Sequence, residues 1–134
     1  MGDSPLCATV KAAVIDALRR CPAVEAAYLL GSAATGSLRP DSDVDIAVLP
    51  RRETGITVED RLALTAELAA ILRREVDLGV LSTANVVYAK EAIATGSLLF
   101  ERDHRATATF AMLALSMYAS LQEARREVLR AYAA

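Results

Sequence analysis

The sequence predicts an α/β domain of about four short strands in one small sheet flanked by helices, ending in a long C-terminal helix. Three observations predict it. Apolar runs of strand length, Val24 to Leu30, Ile46 to Leu49, Val76 to Leu81 and Leu98 to Glu101, alternate with segments whose apolar residues recur every three or four positions. Nothing between Asp103 and Ala133 breaks a helix. At 134 residues the chain fits one domain, large enough to bury its own core without disulfides or metals.

The elements follow in order. Ser4-Pro5 suits a cap and first helical residue, and Leu6, Val10, Val14 and Leu18 continue at helical spacing until Cys21-Pro22 stops the helix, giving an N-terminal helix over 5–20. The first strand is Val24 to Leu30, and Asp43 to Leu49 reads as the second. A polar loop with Gly55 leads to Thr57-Val58-Glu59-Asp60, a helix start. Leu62, Thr65, Leu68, Ala69 and Leu72 mark the inner face of that helix, which ends at Arg73-Arg74 before a third strand within Glu75 to Leu81. Ser82 caps the next helix, Gly96 stops it, and Leu98 to Glu101 completes the sheet. The last helix, about 103–133, places Phe110, Leu113, Met117, Leu121, Ala124 and Val128 on one stripe, widened by Met112, Leu115 and Ala119. At 1.5 Å per residue it would reach about 45 Å, longer than a small sheet can cover, so it either overhangs, with one side open to another protein, or folds back or breaks within the domain. Tyr118 and Tyr132 are candidate anchors there.

Composition narrows the classes. Hydrophobic residues make up 54% and charged residues 24%, which excludes a disordered chain. Net charge is −2, from 15 basic and 17 acidic residues, so direct nucleic-acid binding is not expected. Cys7 and Cys21 have neither metal-ligand spacing nor the density of a secreted scaffold. No signal peptide or membrane-length apolar run is present, and a cytoplasmic location is the expectation. His104, the single histidine, sits in a charged stretch and reads as a surface residue near a helix start.

The chemistry concentrates in Gly31-Ser32 and, ten residues later, Asp43-Val44-Asp45. Residues two apart in a strand face the same side, so Asp43 and Asp45 address one site while Val44 turns away. Carboxylate oxygens suit Mg²⁺, which is commonly held by one or two carboxylates plus substrate phosphates. Upstream, the chain leaves an apolar run at Gly31, where free backbone N–H groups favour anions, and Ser32 adds a hydroxyl. Gly36 ends the turn, and Arg39 and Ser42, on the way into the second strand, complete the candidate phosphate-binding set.

On these residues the chain resembles the DNA polymerase β-like nucleotidyltransferase superfamily, and within it the minimal nucleotidyltransferases (MNT) that act as antitoxins beside HEPN-domain toxins. The resemblance runs from about Val24 to Asp103 and is most specific from Gly31 to Asp45. It extends to Glu75-Val76-Asp77-Leu78-Gly79-Val80-Leu81, where the family places a third carboxylate, and to Gly96-Ser97-Leu98-Leu99-Phe100-Glu101-Arg102-Asp103, which looks like its closing strand. The resemblance implies the nucleotidyltransferase fold with a mixed sheet, ATP as donor and two Mg²⁺ ions held by Asp43, Asp45 and Asp77. Asp77 would also activate the acceptor. Two departures stand out: Thr35 occupies a position that is often basic, a charge Arg39 would replace, and Leu30 stands where Phe is common.

What the resemblance implies for function is an enzyme, a protein adenylyltransferase that moves AMP from ATP to a hydroxyl, that of a tyrosine, on a partner HEPN ribonuclease toxin and thereby neutralises it. Transfer needs an acceptor held in line with the α-phosphorus, and a chain of this size has no second domain to grip one. The acceptor is therefore expected on another molecule. Two alternatives stay open: a non-catalytic antitoxin that binds and occludes its partner, and a stand-alone transferase acting on a small molecule of the aminoglycoside kind.

Overall fold

Strand order, more than the list of elements, decides which residues of this chain meet. The computed structural model describes residues 7–31 and 42–133. It contains α1 (Ala8–Arg20), β1 (Val24–Leu30), β2 (Val44–Pro50), α2 (Val58–Leu72), β3 (Val76–Val80), α3 (Val86–Thr95), β4 (Ser97–Glu101) and α4 (His104–Ala133). The four strands form one mixed sheet in the order β3-β2-β1-β4. β1 runs antiparallel to both β2 and β4, whereas β2 and β3 are parallel.

Alternation along the central strands feeds a core on each face. On one side Val24, Leu29, Val44, Ile46, Val48 and Leu78 pack with Val14 and Leu18 of α1 and Leu64 and Leu68 of α2. On the other, Ala26, Tyr28, Ala47, Leu49 and Leu81 pack with Ala89 and Ala92 of α3 and with Phe110 and Ala114 of α4. Small residues dominate this second layer, so α3 and α4 lie close to the sheet. The first turn of α2 is closed reciprocally: Thr57 Oγ1 accepts from the Asp60 N–H at 3.0 Å, and Asp60 accepts from the Thr57 N–H at 3.1 Å.

Several expectations change. α1 starts at Ala8, with extended Cys7 before it; Ser4, Pro5 and Leu6 lie outside the described residues. β2 begins at Val44, so Asp43 directly precedes it. The inner face of α2 is Leu64 and Leu68, while Leu62 is 66% exposed. That helix is apolar on most sides, and its docking angle chose the stripe. Asn85, not Ser82, caps α3: Asn85 Oδ1 accepts from the Tyr88 N–H, and Ser82 instead accepts from the Ala84 N–H, closing a turn after the strand. Gly96 stops α3 without a left-handed conformation; a side chain there would meet Ala92 O at 2.4 Å and Leu30 Cδ2 at 2.7 Å. α4 runs unbroken for 30 residues, about 45 Å. It turns Thr107, Phe110 and Ala114 inward and leaves Leu113 51% exposed. Beyond Leu121 and Gln122 its residues through Ala133 are exposed. Among the described residues no helix is long and apolar enough to cross a membrane.

Candidate active site

Topology gathers the acidic residues at one end of the sheet. Because β1 and β2 are antiparallel, the end of β1 lies beside the start of β2, with Leu30 opposite Asp45. Because β2 and β3 are parallel, their starts coincide, with Val44 opposite Val76 and Asp45 opposite Asp77. Neighbouring strands are about 4.8 Å apart, so Asp45 and Asp77 stand side by side. Val44, Ile46 and Leu78 are buried against α1 and α2, while Asp45 and Asp77 are exposed on the side that carries α3 and α4. Asp43, also exposed, precedes the strand. The entry to β2 is held by Val44 N–H donating to Glu75 O at 2.9 Å and by Arg74 Nη1 donating to Ser42 O at 3.0 Å.

Gly31 leaves β1 with φ +62°, the left-handed region that favours glycine. A β-carbon there would lie 3.4 Å from Asp45 Oδ2, so the backbone of this turn runs alongside the carboxylate. Ser32, Gly36 and Arg39 lie outside the described residues. Ser42 is half-buried, its carbonyl engaged by Arg74.

Electrostatics mark the same place. Partial burial, then the charges of Asp77 and Asp43, hold the Asp45 carboxyl above the usual carboxylate range. Among the described residues no three His, Cys, Asp or Glu side chains are placed together so as to hold a metal ion. An open pair of hard oxygen donors with mutually repelling charges nevertheless suits a divalent cation that keeps waters and shares substrate phosphates.

Three neighbours carry no motif that would single them out in the sequence. Tyr88 of α3 sets its hydroxyl against Gly79 of β3, two positions beyond Asp77. Burial, followed by the charges of Asp77 and Asp45, pushes this phenol up, against a smaller opposing effect of Arg61, so it stays protonated at neutral pH. Arg61 of α2 donates to Leu78 O at 2.7 Å, and Arg74 closes the entry to β2. The one available signal is Gly79, since a glycine inside a strand often marks a close approach.

Comparisons with known proteins identify the family and the fold. The family model described as "Polymerase beta, Nucleotidyltransferase" matches residues 13–105. The protein adenylyltransferase MntA of Shewanella oneidensis is 32% identical over 112 residues, covering 81% of this chain and 76% of that protein. A crystal structure of a toxin–antitoxin with AMP-PNP contains a chain 30% identical, with a TM-score of 0.75 over 92% of this chain and 98% of that one. A structure of the tri-AMPylated HEPN toxin of S. oneidensis in complex with MNT antitoxin matches at 28% identity, with a TM-score of 0.71 over 94% of this chain and 98% of that one. The overall fold is thus shared with solved relatives, and the chain belongs to the polymerase β nucleotidyltransferase family, in its minimal, MntA-like branch.

Proposed function

We propose that this chain is an antitoxin that transfers AMP from ATP to a tyrosine hydroxyl of a partner HEPN-domain ribonuclease toxin, with its 134 residues acting as one minimal domain. The observation that carries the reading is the in-register pair Asp45 and Asp77, with the left-handed turn at Gly31 beside Asp45. Asp43, Asp45 and Asp77 would hold two Mg²⁺ ions. When bound, those ions supply the positive charge that stabilises the entering and leaving oxygens of an in-line displacement. Gly31 offers its backbone N–H without a side chain in the way, and Ser32, Gly36, Arg39 and Ser42 complete the grip on the triphosphate. Asp77 takes up the acceptor proton as the phenolic oxygen bonds to the α-phosphorus and pyrophosphate departs.

The acceptor arrives on another protein. α4 supports this, because its last turns carry Val128, Leu129 and Tyr132 outward with no other described element packed over them. Toxin-bound relatives support it as well: the matched structures are of toxin–antitoxin assemblies, one with AMP-PNP and one with an AMPylated toxin. The same exposed helix favours a second reading, in which docking alone occludes the partner. Incubation of the chain with its HEPN partner, ATP and Mg²⁺, followed by intact mass spectrometry, separates the two. The partner gains whole AMP units with the native chain and none with Asp43→Asn/Asp45→Asn. A partner silenced at unchanged mass leaves occlusion as the mechanism.

A further inference from the structure

Next to the acidic pair, Gly79 and Tyr88 meet, two residues to which the nucleotidyl-transfer roles give no task. Gly79 follows Asp77 on the same side of β3 as Ala47 follows Asp45 on β2, and the two are opposite one another in the parallel ladder. A β-carbon on Gly79 would stand 2.0 Å from Tyr88 Oη, 2.7 Å from Cζ and 3.1 Å from Cε2. The phenol end therefore occupies a notch that exists only because residue 79 has no side chain. Tyr88 is held above it from the first turn of α3, where its N–H donates to Asn85 Oδ1 at 3.2 Å. Its hydroxyl thus lies on the face of the sheet that carries Asp77 and Asp45, and their charges push it further toward the protonated form. Arg61, the one cation acting on it among the described residues, is anchored by its 2.7 Å bond to Leu78 O on the same strand. A phenylalanine would fill this volume equally well, but a hydroxyl over Gly79, on the face of β3 that also carries Asp77, is a donor on the side of the acceptors.

We propose that Tyr88 is a positioning residue for the transfer: seated in the Gly79 notch, its hydroxyl donates toward the acidic pair and holds the Asp77 carboxylate in the orientation from which it meets the acceptor hydroxyl. This rests on the nucleotidyl-transfer reading of the site. Tyr88 touches neither nucleotide nor acceptor in this role. It acts through Asp77, so its loss slows the chemical step and leaves ATP binding intact.

The test uses the full chain with its HEPN partner, ATP and Mg²⁺, reading kcat, KM for ATP and the thermal midpoint. Tyr88→Phe removes one oxygen and keeps the packing; it lowers kcat about tenfold while KM and the midpoint stay at native values. Gly79→Ala displaces the hydroxyl and lowers kcat at least as far, and Tyr88→Phe adds nothing further in the Gly79→Ala background. A Tyr88→Phe chain with native kcat overturns the proposal, as does a fall in kcat that merely tracks the thermal midpoint. If the native chain itself moves no AMP, both readings fall; if it does and Tyr88→Phe matches it, only the positioning role falls.

Discussion

Asp45 of β2 and Asp77 of β3 are partners in the one parallel ladder of the sheet, so two carboxylates remote in sequence stand side by side on one face. Burial and the neighbouring charges of Asp77 and Asp43 raise the Asp45 carboxyl above its ordinary range. The folded protein thus retains that proton to a higher pH than the unfolded chain. Stability falls as pH rises from the ordinary aspartate range through the raised value and stays lowered above it.

Asp45→Asn removes this penalty. Its melting temperature is expected to exceed the native one at pH 7 by on the order of 2 °C, with the gain vanishing near about pH 3, while nucleotide transfer is lost. Mg²⁺ with ATP raises the melting temperature of the native chain and not that of Asp45→Asn. Calorimetric scans at the two pH values check both statements.

Gly31→Ala places a side chain at φ +62°. The methyl itself meets Asp45 Oδ2 only at ordinary contact distance, 3.4 Å, so the effect is conformational. A loss of about 1–2 kcal/mol is expected in urea unfolding, accompanied by weaker ATP binding in calorimetry.

Gly96→Ala fails for a different reason. Its φ is −80°, open to any residue, but the new methyl would press on Ala92 O and Leu30 Cδ2, one of them rigid backbone. Denaturant unfolding should show a loss of about 1–3 kcal/mol, with the position of the acidic pair unaffected and ATP affinity per folded molecule unchanged.

Val128→Glu/Leu129→Glu tests the free end of α4, where these side chains are 54% and 67% exposed. The melting temperature should stay within about 1–2 °C of native, because little apolar burial is lost. Affinity for the HEPN partner, measured by titration calorimetry, should fall by at least about tenfold.

Features that depend on a few consecutive residues are legible in the amino-acid order alone. The run Val24–Leu30 is a strand over those residues, and Thr57 with Asp60 forms the capping box expected of it. The alternation of Asp43, Val44 and Asp45 also appears, as exposed, buried, exposed. Helix facing is less legible. Leu62 and Leu113 continue reasonable stripes, yet Leu64 and Ala114 turn inward, because both helices carry more apolar residues than one contact face requires. Ser82 and Asn85 are equally able caps, and only the path of the chain leaving β3 selects Asn85.

The sequence by itself determined where most strands and helices lie, that Asp45 is exposed next to buried Val44, and that Gly31 precedes them at a turn; alternation, capping and backbone preference act over two to four residues. Tertiary structure alone decided that Asp45 faces Asp77 and that Tyr88 rests on Gly79. Strand register and helix docking are set by burying both faces of the whole sheet at once, a condition that no short segment carries.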